Sequence, residues 1–281
     1  AKGHQLQSGI TIMDPYTGNI VGMVGAMGPK TQNLVDNYAV QKHQVGSSIK
    51  PLTVYSAALD AGAVTPATTF DNYPVELMND SPWPKNSPNT YTGWTMIGEG
   101  VRRSINTIAV QTVEALGVAE SYAYATEKLG LSLVPEDMAV SPLAMGGLTY
   151  GVKNVELCAA YAAIANGGNY IKPVYYTKIL DHNGNVLIEN NSVGRSVIKE
   201  TTAYLLTSAL EDVVQNGTGT ACQLDNMTVA GKTGTTDAYN DLWFVGYTPY
   251  YTCAVWSGYD NNEKLPEDAR NFHKNLWKKV M

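Results

Sequence analysis

Thr228-Val229-Ala230-Gly231-Lys232-Thr233-Gly234-Thr235 reads as a strand running into a turn-prone string, and two further strand patterns follow at 242–247 and 252–259, with a Thr248-Pro249 turn between them. The matching pattern lies at the other end of the chain. There Ile10-Thr11-Ile12-Met13 and Ile20-Val21-Gly22-Met23-Val24 flank Asp14-Pro15-Tyr16-Thr17-Gly18-Asn19, whose Asp, Pro and Gly mark a hairpin turn. Between these ends, from about 64 to 224, the periodicity is mostly helical, with runs at 106–116, 119–129, 155–165 and 201–214. A further helix is expected over 47–61, with Pro51 in its first turn and Gly62 at its end, and an amphipathic helix over 268–280 closes the chain. Strands confined to the two ends must share one sheet. The fold class expected is therefore α/β: a central antiparallel sheet of about five strands built from both termini, flanked by helices, with a mainly helical lobe inserted. The chain is expected to be one domain, 1–281, with an α/β lobe of 1–63 plus 225–281 and a helical lobe of 64–224.

Composition narrows the function. The chain has 281 residues, 16% charged and 44% hydrophobic, which is globular usage, and its net charge of -6 carries no basic footprint for a nucleic-acid partner. Cys158, Cys222 and Cys253 are odd in number and widely spaced, and His4, His43, His182 and His273 lack ligand spacing, so neither a metal nor another cofactor is expected. No apolar run of about 18 residues is present, and the first residues lack the zones of a signal peptide. The strand pattern begins only a few residues in, as in a fragment cut from a longer protein.

Three strings stand in order along the chain: Ser47-Ser48-Ile49-Lys50, Ser104-Ile105-Asn106 and Lys232-Thr233-Gly234-Thr235. Singly they mean little. A Ser-x-x-Lys string arises by chance roughly once in a chain of this length, and Ser196-Val197-Ile198-Lys199 is a second copy, as Ser87-Pro88-Asn89 is of the second string. Ser47 with Lys50 alone reads as a helix cap and a solvated lysine, Ser104 with Asn106 as another cap, and Lys-Thr-Gly as a strand end. Taken together they supply an acyl-transfer site. A serine hydroxyl needs a base within reach, and Lys50 follows Ser47 by three residues, on the same helix face. Neutralising an ordinary lysine at pH 7 costs roughly 4.6 kcal/mol, and burial beside a second cation, for which Lys232 is the candidate, lowers that cost. A helix N-terminus at Ser47 and an N–H of the 232–235 strand would form an oxyanion hole. Gly234 suits an edge that a substrate backbone approaches closely, and Lys232, Thr233 and Thr235 could hold a carboxylate.

The ordered strings resemble the signature of the penicillin-recognising serine acyltransferases. The likeness extends to Gln7-Ser8-Gly9-Ile10, Asn37-Tyr38-Ala39, Pro84-Lys85-Asn86, Tyr91-Thr92-Gly93, Asn216-Gly217-Thr218-Gly219 and Asp241-Leu242-Trp243-Phe244-Val245-Gly246-Tyr247, and is similar to the transpeptidase domain of class A penicillin-binding proteins. That resemblance implies the serine β-lactamase and transpeptidase fold. It implies catalytic roles for Ser47, Lys50, Ser104, Asn106 and Lys232, and substrate binding by Thr233, Gly234 and Thr235. It also implies peptidoglycan stem peptides and β-lactams as partners, action on the extracytoplasmic face of a bacterial membrane, and attachment to an N-terminal glycosyltransferase domain and membrane anchor absent from this chain. Three alternatives share the motifs: a D,D-carboxypeptidase, a β-lactamase, and a sensor or cell-wall-binding module that acylates without turnover. A β-lactamase would need a water-activating carboxylate, and Glu76-Leu77-Met78-Asn79 precedes Ser104, on the wrong side of that string. The aromatic stretch 83–94 reads as packing in preference to a sugar platform.

Overall fold

A computed structural model describes residues 5–30 and 33–281; His4 lies outside the described residues. Five antiparallel strands form the central sheet: β1 (Gln7–Met13), β2 (Ile20–Val24), β3 (Ala230–Thr235), β4 (Asp241–Tyr247) and β5 (Thr252–Gly258). Their order is β3-β4-β5-β1-β2, so the ladder between β1 and β5, with Gln7 opposite Gly258 and Met13 opposite Thr252, joins the start of the chain to its end. The expected sheet and its origin from both termini are thus observed.

β4 and β5 are buried along their whole length, which explains their nearly continuous apolar sequence. Alternation still sorts their side chains. Trp243, Val245, Ala254 and Trp256 join the larger core under helix α3 (Asn154–Ala165), while Phe244, Cys253 and Val255 face a smaller core with Trp277 of α5 (Phe272–Val280). The Trp277 ring meets Phe244 edge-on at 5.0 Å and its indole N–H donates to the Cys253 carbonyl at 3.0 Å. α3 is buried on nearly every face, because it lies between the sheet and the other helices.

The run 46–61 departs from the uniform helix expected. It is a 3-10 turn at Gly46–Ile49, a wide π segment at Pro51–Ser56 and an α-turn at Ala57–Ala61, ended by Gly62 at φ 72°. Proline supplies the reason. Pro51 has no N–H for the Ser47 carbonyl, so the Lys50 N–H takes that carbonyl instead, and the Tyr161 hydroxyl donates to the Ser48 carbonyl at 2.6 Å.

The middle of the chain also holds short strand pairs that periodicity does not reveal: Thr69–Asn72 with Gly93–Met96, Glu76–Met78 with Ser81–Trp83, and Lys178–Leu180 with Val186–Glu189. The last two are almost wholly exposed, so no buried face imposes alternation on them. The helices there include α1 (Ile97–Arg103), α2 (Asn106–Leu116) and α4 (Glu200–Asn216), the last two within a few residues of expectation.

Trp277→Ala should cost about 3–5 kcal/mol in urea unfolding, because it empties the second core. Lys279→Ala, on the exposed side of α5, should change stability by less than about 0.5 kcal/mol.

Candidate active site

Two glycines let β3 press against the turn that carries Ser47. At Gly234 a Cβ would fall on the Val45 carbonyl oxygen and within 2.8 Å of Ser48 Oγ, and at Gly46, with φ 50°, it would fall on the Thr235 carbonyl oxygen. The demand for glycine at 234 therefore comes from the protein's own serine turn. This packing is a demand for glycine separate from the expected approach of a substrate backbone, and Gly234 itself is buried. The turn is held further by the Trp243 indole, which donates to the Gln44 carbonyl at 2.7 Å.

Across from this turn, Ser104 ends α1 in the left-handed region, φ 60° and ψ 39°, before α2 begins at Asn106. Such backbone costs a non-glycine residue on the order of 1 kcal/mol and marks positions that the surroundings over-determine. Here it turns the residue toward two lysines. Lys232 Nζ donates to Ser104 Oγ at 2.9 Å, and Lys50 Nζ lies 3.5 Å from the same oxygen while donating to the Ser104 carbonyl at 2.9 Å and to Asn106 Oδ1 at 2.6 Å. Lys232 also donates to the Thr233 carbonyl at 3.1 Å.

Both lysines have 0% exposure, and neither has a carboxylate within ion-pair distance among the described residues. Burial pushes Lys50 well below the ordinary lysine value, with the Lys232 charge adding to the effect, and burial brings Lys232 down to about 7. A neutral amine near physiological pH is thereby within reach, as a general base requires. The Ser47 hydroxyl borders the cleft and makes no hydrogen bond among the described residues.

The cleft is a cavity of about 430 Å³ walled by Ser47, Ser104, Asn106, Thr218, Thr233 and Thr235, with Lys50 and Lys232 behind its surface. All three strings converge on it. The second copies separate: Ser196 is exposed in a short strand, Arg195–Ser196, and the Lys199 ammonium is engaged with the Asp60 carbonyl at 2.7 Å. Ser87 does line the cleft, whereas Asn89 accepts a hydrogen bond from the Tyr91 hydroxyl at 2.8 Å. Glu76 is exposed on its hairpin and outside the cleft lining.

Motif reading missed three contributors. Asn86 accepts from the Asn106 and Thr107 amides at 3.0 and 3.3 Å, capping α2 from another part of the chain, while the Lys85 carbonyl accepts from Asn106 Nδ2 at 2.7 Å. Together they orient the Asn106 amide with its oxygen toward Lys50. Thr218 meets Thr233, hydroxyl to hydroxyl, at 2.8 Å. All three lie in strings that carried the family resemblance, but nothing local in those strings signals these contacts.

The model of the penicillin binding protein transpeptidase domain matches residues 8–281. The chain belongs to this family. It is 35% identical to penicillin-binding protein 1A of Clostridium botulinum over 286 residues, covering 98% of this chain and 34% of that protein, and 36% identical to that of Clostridium acetobutylicum over 292 residues, covering 99% and 35%. The chain thus spans about a third of the length of these relatives. Among solved structures, penicillin-binding protein 1A of Haemophilus influenzae superposes with a TM-score of 0.82 at 22% identity, over 98% of this chain and 47% of that one. The D,D-transpeptidase domain of a peptidoglycan glycosyltransferase from Eggerthella lenta gives 0.80 at 23%, over 99% and 77%. These likenesses establish the β-lactamase-like fold of penicillin-binding transpeptidase domains.

The buried lysines of this transpeptidase-family site set a stability test. Lys232 binds a proton less readily folded than unfolded, so the penalty is complete below about 7 and is relieved as pH rises toward the unfolded lysine value of about 10.4. Lys232→Met should therefore gain about 1–3 kcal/mol over the parent in urea unfolding at pH 6 and much less at pH 9.

Proposed function

We propose that this chain is a D,D-transpeptidase domain that cross-links peptidoglycan stem peptides through an acyl-enzyme on Ser47, and that β-lactams acylate the same serine. The observation that carries this reading is the Ser104 hydroxyl shared by two buried lysines, neither ion-paired among the described residues, beside the cleft that Ser47 borders. Ser47 Oγ attacks the D-Ala-D-Ala carbonyl and Lys50, as the neutral amine, takes its proton. The oxyanion is held by the backbone N–H groups of Ser47 and of the β3 edge. Lys232 and Ser104 return a proton to the departing amine as the terminal D-Ala leaves. An amine of a second stem peptide then attacks the ester and frees Ser47. Asn106 positions Lys50 and the substrate amide, Thr233 and Thr235 hold the terminal carboxylate, and Gly234 serves by letting β3 close on the serine turn.

The same reading assigns the chain one domain of two lobes, 1–63 plus 225–281 and 64–224. The whole protein would act on the extracytoplasmic face of a bacterial membrane, tethered there and joined to an N-terminal glycosyltransferase domain. Relatives about three times as long and a transpeptidase-domain structure drawn from a peptidoglycan glycosyltransferase support this. Among the described residues no helix is long and apolar enough to cross a membrane. The structure of PonA1 of Mycobacterium tuberculosis in complex with penicillin V, which superposes with a TM-score of 0.80, supports the β-lactam assignment.

Incubation with benzylpenicillin followed by peptide mass mapping should place one adduct on Ser47, and Ser47→Ala should abolish it with the melting temperature almost unchanged. An adduct on Ser196, or none on folded protein, contradicts the assignment. Adduct lifetime and D-Ala release from a synthetic stem peptide with an added amine separate the alternatives: a β-lactamase clears the adduct in seconds, a sensor acylates and stalls, and a carboxypeptidase ignores the amine. Acylation should quicken as rising pH takes the proton from Lys50, whose ammonium form burial and the Lys232 charge hold well below the ordinary lysine value.

A further inference from the structure

The wall of the cleft beyond Thr235 carries more cations than acids. Arg270, in the turn just before α5, and Lys274, in the first turn of α5, line it together with Arg103 of α1, and Asp237 is the acid in that lining. This cationic surface stands in a chain of net charge -6. His273, between the two, is buried and held down to about 3 by burial, so it adds no charge at neutral pH.

Each cation has capacity left. The Arg270 guanidinium lies 4.0 Å from the centroid of the Tyr239 ring, which fixes its plane, and its Nε is buried without a hydrogen-bond partner. Its ion-pair partner, Glu267 at 3.4 Å, has a side chain 87% exposed and is screened by water. Lys274 has no carboxylate within ion-pair distance among the described residues. Acylation itself uses neither residue. β3 runs from Lys232 through Thr235 into the turn that carries Tyr239. On the proposed binding of the terminal carboxylate at Thr233 and Thr235, a substrate whose acyl portion continues along this edge would reach that turn.

We propose that Arg270 and Lys274 form a second carboxylate subsite, which favours donors bearing an acidic group on the acyl side of the scissile bond. The inference rests on the acyl-transfer reading above and assigns that site a substrate class. Carbenicillin and benzylpenicillin make a matched pair of probes, because they differ by one carboxylate on the acyl side chain. The readout is the ratio of their second-order rate constants for acylating Ser47. Arg270→Gln and Lys274→Gln should each lower this carbenicillin-to-benzylpenicillin ratio about fivefold, the size of one partly screened charge contact. Arg270→Lys should keep most of it, which separates charge from packing. Glu267→Gln should raise the ratio, and higher ionic strength should shrink the preference of the parent protein. Lys279→Gln removes the same charge from the exposed side of α5 and should leave the ratio unchanged. The subsite is overturned if Arg270→Gln and Lys274→Gln leave the ratio where it was, or move it no more than Lys279→Gln does. Absence of any benzylpenicillin adduct on the folded parent protein would overturn the acyl-transfer reading, and this inference with it.

Discussion

Two lysine amines share one hydroxyl in the interior of this protein, and among the described residues no carboxylate offsets either. Lys50 and Lys232 reach Ser104 from different elements, a helical run near the start of the chain and a strand near its end. Burying an unpaired charge costs several kcal/mol, and the cost falls when the group gives up its proton. The surrounding fold must therefore hold an arrangement that is unfavourable by itself. Ser104 adds to the load with its left-handed backbone.

The stability that offsets this comes from the sheet and its two cores. β4 and β5 are covered on both faces, by α3 on one side and α5 on the other, so the strand that carries Lys232 is anchored to well-packed neighbours. Gly234 and Gly46 then allow β3 to touch the serine turn at van der Waals distance. A methyl group at either position would wedge the two elements apart. The cleft is thus formed by an edge strand with a rigid back and by a turn clamped through Trp243 and Tyr161.

The outer cleft follows a different logic. Its cations are only partly buried and face the space where a ligand would lie, although burial pulls Lys274 below the ordinary lysine value. A buried pair tuned toward neutrality and an outer rim left charged are the two ends of one electrostatic gradient. The inner end suits proton transfer and the outer end suits recognition of acidic groups.

The sheet was readable from one chain of letters because its strands are bounded by Gly, Pro and Asp turns and carry apolar runs. The short pairs between 69 and 96 and the hairpin at 178–189 were not, since strands of three or four residues with exposed side chains leave no periodic trace. The residue types of the site and their order were likewise determined by sequence alone, because nucleophile, base and cation are matters of side-chain chemistry. Only the tertiary structure decided which Ser-x-x-Lys copy enters the cleft, that Asn86 caps α2 and so aims Asn106, and that glycine at 234 answers to the serine turn. It also decided that both lysines lose their water around Ser104. Desolvation and convergence arise from contacts between segments far apart in the chain, and no local pattern encodes them.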